Sequence, residues 1–190
     1  MQRHRYEKNY YYAVRAQDTA TLSDLERASR MIFLNRTCFN GLYRVNRRGL
    51  FNVPFGRYTN PTICQEDRLR QASAALSGVA IGQLDYATAC SAAQSGDLVY
   101  FDPPYDPISK TANFTSYASD GFGREDQQRL AQLFANLSGR GVFAALSNSD
   151  TPFIRELYKG FRITQIEAPR AISRNAATRR PVHEVIITSG

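Results

Sequence analysis

Hydrophobic residues recur at helical spacing in the first part of the chain and form short continuous runs in the second. From about residue 6 to residue 78 the pattern predicts helices, apart from one long aperiodic stretch. One helix begins at the capping-box sequence Ser23-Asp24-Leu25-Glu26, and another covers residues 66–77. The apolar face of that later helix consists of Leu69, Ala72 and Leu76.

From about residue 79 the apolar runs have the length of buried strands and alternate with helical segments. The strand–helix–strand order predicts an α/β fold whose sheet has parallel neighbours and is covered on both faces. We expect one helix to begin at Pro152, a residue that suits the first helical position. A longer helix over residues 124–141 has an apolar core face. The predicted strands cover residues 79–84, 97–101, 142–147, 161–168 and 183–190.

Composition narrows the class of protein. The 190 residues, 43% of them hydrophobic, suit one soluble domain or one domain with a sizeable insertion. No apolar run is long enough to span a membrane and the N-terminus does not resemble a signal peptide, so we expect a cytoplasmic protein without a membrane partner. Cys38, Cys64 and Cys90 form no CxxC pair, which favours reduced buried thiols, and two histidines are too few for a histidine-based metal site.

The formal net charge of +7 and the pI near 9.5 suit a polyanionic partner, but many soluble proteins are mildly basic without one, so the position of the charge matters more than its total. The stretch from Asn35 to Tyr58 contains five arginines and no acid, with aromatic residues interleaved. Arginines bind phosphates or fork onto guanine, and aromatic rings can insert between bases or stack on them. The alternative is a solvated loop whose aromatic side chains pack in the core. The arginines are Arg36, Arg44, Arg47, Arg48 and Arg57.

A second candidate site follows the run Leu98–Phe101, where the sequence reads Asp102-Pro103-Pro104-Tyr105. In open α/β sheets, ligands bind beyond the carboxyl ends of the strands, which is where Asp102 falls. The prolines fix the backbone and donate no N–H, so we expect the carbonyls of this turn to be free acceptors. A carboxylate, free carbonyls and a tyrosine ring suit a planar ligand with an amino group. The alternative is a turn that only ends the strand.

Together these motifs resemble the Dam-type, or D12-class, DNA adenine-N6 methyltransferases. The likeness covers nearly the whole chain in the family's order: the Asn35–Tyr58 stretch, DPPY, and then "SKTANFTSY", "LSNSDTPF" and "RAISRNAATRR". The stretch is more specific than DPPY, which also marks other amino-methyltransferases. The resemblance implies a Rossmann-like S-adenosylmethionine-dependent sheet with an inserted helical DNA-recognition domain. It places the target-recognition region at residues 1–78, with the DNA-binding stretch at 35–58, and the catalytic α/β region at 79–190.

The resemblance also implies roles for the DPPY residues, Asp102 to Tyr105. The Asp102 carboxylate and the Pro103 carbonyl would accept both amino protons of a target adenine, which frees the N6 lone pair to take the methyl group from S-adenosylmethionine. Tyr105 would stack on the flipped adenine, because an amine inside a duplex cannot react. Asp102 would also lie at the methionine end of the cofactor. Asp85 and Tyr86 match a pair that borders the cofactor's adenine, although Tyr86 could equally be a core residue.

The DNA partner implied by the resemblance is double-stranded and its site is GATC, since the counterpart of Arg44 reads a guanine there. Phe39 would enter the duplex beside the target. Residues 109–117 would close over the active site. Arg174, Arg179 and Arg180 either hold the DNA backbone or lie in a solvated loop. The counterparts that contact bases or phosphates are Asn40, Leu42, Arg44, Asn46 and Arg57.

One departure limits the likeness. The family's lysine-containing N-terminal segment and its strand leading to an F-x-G-x-G turn do not precede Asn35, and the "GFG" at 121–123 lies elsewhere. We therefore expect this chain to lack the N-terminal cofactor-binding segment and the first strands of the sheet, and to need that segment or a partner chain to bind the cofactor well. Three hypotheses stand: a Dam-type adenine methyltransferase, of a restriction-modification system or another role, that is complete only with its missing part; a truncated inactive DNA-binding remnant; or an unrelated α/β protein with a chance DPPY.

Overall fold

The computed structural model describes residues 4–46, 48–108, 122–168 and 182–190. Contacts within the chain divide it into two compact units, with the division between Ile81 and Gly82. The sequence suggested a boundary near residue 78, and the roles assigned to the two parts remain predictions. Among the described residues, no helix combines the length and the hydrophobicity that a membrane span requires.

The first unit contains three α-helices: α1 (Lys8–Ala16), α2 (Asp24–Thr37) and α3 (Glu66–Ala75). The predicted capping box of α2 is confirmed, since Ser23 Oγ accepts a hydrogen bond from the Glu26 N–H and Glu26 accepts one from the Ser23 N–H. Between α2 and α3 the described residues form no α-helix and no extended strand, apart from a short 3-10 turn and two isolated bridges. The bridges pair Cys38 with Phe55 and Val45 with Phe51, which folds this segment back on itself.

The core of the first unit joins α1 and α2 to the segment between α2 and α3. Buried side chains from all three parts pack together: Tyr11, Val14, Phe33, Leu34, Cys38, Phe51 and Val53. Helix α3 buries none of its residues, and Leu69 and Leu76 are 40% and 48% exposed. The apolar residues of α3 recur at helical spacing and the segment is a helix, but its apolar face lies outside this core.

The strand predicted over residues 79–84 is wrong, because this segment has irregular backbone and exposed side chains. Ile81 is 76% exposed, and Gly78, at φ 80°, turns the chain just before the segment. None of the described strands pairs with residues 79–84, so their amide groups have no ladder to join. A short apolar run without a partner strand is insufficient to make a strand.

The second unit is built on a four-stranded sheet of β1 (Leu98–Phe101), β2 (Phe143–Ser149), β3 (Arg162–Ala168) and β4 (Val182–Thr188). The strand order is β1-β2-β4-β3. β1 and β2 are parallel, as the sequence predicts, whereas β4 is antiparallel to both β2 and β3. The fold of this unit is therefore mixed α/β. Its helices are α4 (Tyr86–Ala89), α5 (Arg124–Gly139) and α6 (Pro152–Leu157).

The register between β1 and β2 positions the end of β1. Phe101 pairs with Leu146, so the next residues, Asp102 and Ser147, lie side by side where both strands run in the same direction. Helix α5 packs against this sheet through the core face predicted from its sequence, since Leu130, Phe134 and Leu137 are buried. Helix α5, packed against the parallel strands β1 and β2, thus supports the turn that follows β1.

Candidate active site

Asp102 begins the turn at the carboxyl end of β1, and its side chain is exposed. The buried Ser147 hydroxyl, on the adjacent parallel strand β2, lies 3.0 Å from Asp102 Oδ1. The Tyr100 hydroxyl lies 2.9 Å from the same Ser147 oxygen. Tyr100 on β1, Ser147 on β2 and Asp102 just after β1 thus form one connected chain of polar atoms that ends at the carboxylate.

The rest of the DPPY turn is held by a buried polar network. Gln127 Nε2 of α5 donates to the Pro104 carbonyl at 2.8 Å and accepts, through Oε1, from Asn148 Nδ2 at 3.2 Å. Asn148 Oδ1 accepts from the Asp106 N–H at 2.9 Å. The Asp106 carboxylate accepts from Thr151 Oγ1 at 2.7 Å, and Thr151 caps α6. Because these polar groups are buried and satisfied together, they fix the turn to β2, α5 and α6.

This network changes one sequence expectation. The carbonyls of the turn were expected to be free, but the Pro104 carbonyl is occupied by Gln127. Among the described residues, no donor reaches the Pro103 carbonyl. The two acceptors that the resemblance implies, the Asp102 carboxylate and the Pro103 carbonyl, are thus separate from the Pro104 carbonyl, which attaches the turn to α5.

A cavity of about 360 Å³ opens beside the turn. Tyr105 is not part of its lining: the ring is 37% exposed, and burial raises the pKa of its hydroxyl while the nearby Ser147 hydroxyl opposes that rise. A cavity of this size, with aromatic walls and one carboxylate, suits a flat heterocyclic ligand. The lining residues are Tyr86, Tyr100, Phe101, Asp102, Pro103, Pro104, Phe122 and Leu130.

The two predicted cofactor residues at the start of α4 differ in their surroundings. Tyr86 lines the cavity and also packs against the core of the second unit. Its position is therefore compatible with a ligand contact and with a core residue, the two interpretations that the sequence left open. Asp85 caps α4 and accepts two hydrogen bonds from Arg129, at 2.8 and 3.1 Å. These bonds lower the pKa of the Asp85 carboxyl. The Arg129 guanidinium also lies 4.8 Å from the centre of the Tyr86 ring.

In the first unit, the basic stretch is anchored through its backbone. The Tyr6 hydroxyl donates to the Gly56 carbonyl at 2.9 Å and accepts from the Tyr58 N–H at 2.7 Å, so it holds the backbone on both sides of Arg57. The Tyr11 hydroxyl donates to the Val53 carbonyl at 2.9 Å. Gly56 is required here, because a Cβ atom would lie 2.8 Å from two backbone carbonyl oxygens.

The side chains predicted to contact DNA lie mostly on the outside of this anchored stretch. Asn40 has a left-handed backbone, at φ 57°, directly after the exposed Phe39 ring. Arg44 is exposed and donates through Nε to Asn52 Oδ1 at 2.7 Å. Asn46 is exposed, and its Oδ1 accepts from two backbone N–H groups of the following turn. Leu42 is half-buried, and Arg57 is exposed.

The aromatic residues of the stretch divide between both interpretations. Phe51 is buried and Phe55 half-buried in the core, as the alternative of a solvated loop supposed. Phe39, Tyr43 and Tyr58 are exposed. The predicted closing loop at 109–117 and the residues Arg47, Arg174, Arg179 and Arg180 lie outside the described residues.

Sequence reasoning missed the residues that hold the DPPY turn. Gln127, Ser147 and Asn148 are polar residues at core-facing positions, only 2%, 3% and 0% exposed. A signal existed, because Gln127 lies three residues before Leu130 on the core face of α5 and "LSNS" places polar residues where a buried strand ends. Polar residues at buried positions need partners, and here the partners are the turn itself.

Known proteins similar to this chain were found in two comparisons. A family model described as "D12 class N6 adenine-specific DNA methyltransferase" matches residues 1–172. A type II methyltransferase of Lactococcus lactis subsp. cremoris is 44% identical over 96% of this chain and 66% of its own length. A DNA adenine methylase of Vibrio cholerae is 39% identical over 94% of this chain and 65% of its length. A DNA N-6-adenine-methyltransferase of Escherichia phage P1 is 39% identical over 96% of this chain and 25% of its length.

These relatives are longer than the chain. It spans just under two thirds of the Lactococcus and Vibrio proteins and a quarter of the phage protein. In each comparison nearly the whole of this chain is matched, including both units and the DPPY turn. The likeness therefore extends beyond a shared short motif.

Proposed function

Because the chain belongs to the D12 class of N6 adenine-specific DNA methyltransferases, we propose that it provides the target-recognition and methyl-transfer regions of a DNA adenine methyltransferase. The reaction moves a methyl group from S-adenosylmethionine to N6 of an adenine in double-stranded DNA, within GATC. We further propose that the second unit is part of a Rossmann-like methyltransferase sheet and that the first unit is an inserted DNA-recognition domain. The similarity to a DNA adenine methylase and to a DNA N-6-adenine-methyltransferase supports the reaction class.

The observation that supports this proposal best is the pair of acceptors at the end of β1. Asp102 is exposed beside a cavity with aromatic walls, and the Pro103 carbonyl is next to it, while the Pro104 carbonyl is already bonded. An exocyclic amino group has two protons, so two adjacent acceptors match it. If each acceptor receives a hydrogen bond from one of these protons, the nitrogen lone pair is drawn out of conjugation with the ring and becomes a better nucleophile.

The methyl donor fits the residues that line the cavity. Tyr86 and Phe122 provide flat surfaces for a heterocycle, and Asp102 can accept from an ammonium or amino group. S-adenosylmethionine supplies a methyl group already activated by its sulfonium, so the chain's own task is to orient the amine and exclude water. Asp102 acts as an orienting acceptor in this scheme, and Tyr105 supplies a ring for the flipped base.

DNA recognition is assigned to the basic stretch of the first unit. Exposed Arg44 keeps its terminal guanidinium nitrogens available after its Nε bonds Asn52, which suits a forked contact to guanine O6 and N7. We assign phosphate contacts to Arg57 and Asn46, and insertion into the base stack beside the target to Phe39. Arg179 is proposed as a further contact to the DNA backbone.

A methyl-transfer assay with the 190-residue chain tests the proposal. The chain, alone and together with the family's N-terminal cofactor-binding segment, is incubated with tritiated S-adenosylmethionine and duplexes that contain GATC, a single-base variant of GATC, or GATC with N6-methyladenine already at both targets. With that segment supplied, we expect incorporation on the first duplex alone, with the label recovered as N6-methyladenine after nuclease digestion, and we expect much less incorporation without it. Asp102→Ala is the matched negative control.

Two outcomes would contradict separate parts of the proposal. Label recovered on cytosine, or equal incorporation on all three duplexes, would contradict the adenine target or the GATC site. Absence of any incorporation with the N-terminal segment supplied, and with the duplex bound normally in an electrophoretic shift, would contradict methyl transfer by this chain. In that case the DNA-recognition assignment would be retained.

A further inference from the structure

Hydrogen bonds link Tyr100 through Ser147 to Asp102. What we infer from them rests on the proposed function and goes beyond it. An ionised carboxylate can only accept hydrogen bonds, so at 3.0 Å the Ser147 hydroxyl donates to Asp102 Oδ1. A serine hydroxyl has a single proton. The Tyr100 hydroxyl, 2.9 Å from the Ser147 oxygen, must therefore donate to Ser147. The chain of donors has one direction, from Tyr100 through Ser147 to Asp102.

Because the donors run in this direction, the two oxygens of the Asp102 carboxylate have different surroundings. Oδ1 is held by Ser147, whereas Oδ2 has no recorded donor from the residues that the structure describes. Rotation of the carboxylate about its bond to Cβ would break the Ser147 bond, so Oδ2 keeps a constant direction. The donor from Tyr100 also polarises the Ser147 hydroxyl and strengthens its bond to Asp102.

The surroundings make this arrangement stiff. Ser147 is 3% exposed on β2, and the parallel register beside β1 fixes its distance from the end of that strand. Tyr100 and Asp102 both line the cavity, so the donor chain lies at the wall of the candidate site. We propose that Ser147 and Tyr100 are positioning residues, which orient the Asp102 carboxylate so that one oxygen receives an amino proton of the target adenine.

The alternative is that Tyr100 and Ser147 only satisfy each other's hydroxyl groups. The two cases differ in one measurable quantity, the sensitivity of the site to the target amino group. That sensitivity is measured by the ratio of affinities for two duplexes, one with adenine at the target position and one with purine, which lacks the amino group. If the donor chain orients Asp102, removing it reduces this ratio. A purely structural role lowers stability and leaves the ratio unchanged.

The experiment compares Tyr100→Phe and Ser147→Ala with the unaltered chain, by fluorescence anisotropy on the two duplexes in the presence of S-adenosylhomocysteine. The matched control is Tyr158→Phe, which removes a buried tyrosine hydroxyl for which the described residues provide no partner. We expect the affinity ratio to fall towards one in both test variants and to stay unchanged in the control. In the transfer assay we expect kcat to fall by about 10- to 100-fold with little change in KM for DNA.

The outcomes separate this inference from the function on which it rests. If Tyr100→Phe and Ser147→Ala fold normally by thermal unfolding and keep the unaltered affinity ratio, the positioning role is wrong while the proposed function stands. If the unaltered chain itself binds both duplexes equally, Asp102 makes no bond to the amino group, and both the inference and the proposed target contact are wrong. A loss of DNA affinity equal for both duplexes would also overturn the positioning role.

Discussion

The DPPY turn and the basic stretch hold their polar groups in opposite ways. In the turn, the groups proposed to act on the adenine are held by buried side chains, and the free acceptors are few. In the basic stretch, the buried Tyr11 and the half-buried Tyr6 hold the backbone and the charged side chains remain exposed. A site that must orient one amine needs fixed atoms, whereas a surface that meets a polyanion needs charge at the right places. The same substitution type should therefore have different consequences in the two regions.

The largest effect expected is at Asp102. Asp102→Ala removes an acceptor proposed for the amino protons, so methyl transfer should fall by at least about 100-fold. The affinity for the duplex with purine at the target position should stay within twofold to threefold, roughly the scatter of surface substitutions. Radiolabel incorporation and anisotropy measure the two quantities. Asp97→Ala is the matched control, since it removes an exposed carboxylate at the opposite end of β1. Near-normal turnover of Asp102→Ala would remove the distinction between the turn and the stretch.

The second effect concerns the buried network. Gln127→Met keeps the side-chain volume but leaves the Pro104 carbonyl and the Asn148 amide without their partner. We expect the free energy of unfolding to fall by about 1–3 kcal/mol for each group left unsatisfied. Urea unfolding followed by circular dichroism measures it. Gln165→Met, which removes an exposed bond to Asp150, should cost much less, and equal losses would show that burial of the network contributes nothing.

The third effect distinguishes two arginines within the basic stretch. Arg44→Ala should reduce discrimination at one guanine by about 1–3 kcal/mol, as expected for a forked base contact. Arg57→Ala should weaken binding to all duplexes and reduce the salt slope by about one. Anisotropy titrations at several salt concentrations, with single-base-changed duplexes, measure both. Arg70→Ala, an exposed arginine of α3, controls for net charge. If Arg44→Ala and Arg57→Ala give the same pattern, the division into base reader and phosphate contact is wrong.

The smallest effect expected is a pH dependence at Asp85. Hydrogen bonds from Arg129 lower the pKa of this carboxyl in the folded chain. The pair therefore stabilises the fold above the unfolded pKa of about 4, and this contribution is lost as the pH falls through the lower folded value. Thermal unfolding between pH 7 and pH 3 should show a slightly smaller decline for Arg129→Ala than for the unaltered chain. An equal decline would mean that the exposed pair adds nothing to stability.

Much of the architecture could be predicted because it is local or periodic. The capping box of α2, the core face of α5 and the strands around "LVYF" and "VFAALS" each depend on residues close together in sequence. The strand at 79–84 failed because a strand needs a partner, and no local pattern reveals whether one exists. The antiparallel pairing of β4 is likewise a long-range property.

The candidate site was predictable to the extent that its residues are contiguous. Asp102 to Tyr105 form one motif, and its place after a strand follows from the pattern. The supporting residues come from α5 and β2, more than twenty residues away in sequence. Only folding brings Gln127 to the Pro104 carbonyl, so the occupied carbonyl could not be distinguished from the free one beforehand.

The Tyr6 clamp on Gly56 and Tyr58 has a consequence for how the first unit folds. Its two hydrogen bonds join residues 50 and 52 positions apart, and Tyr11 reaches Val53 across 42. Closing such loops costs entropy before the contacts return any of it, and chains rich in distant contacts fold slowly. Helix α2, with its own capping box, can form early. The surface that carries Arg57 is therefore complete only when the N-terminal residues have returned to it.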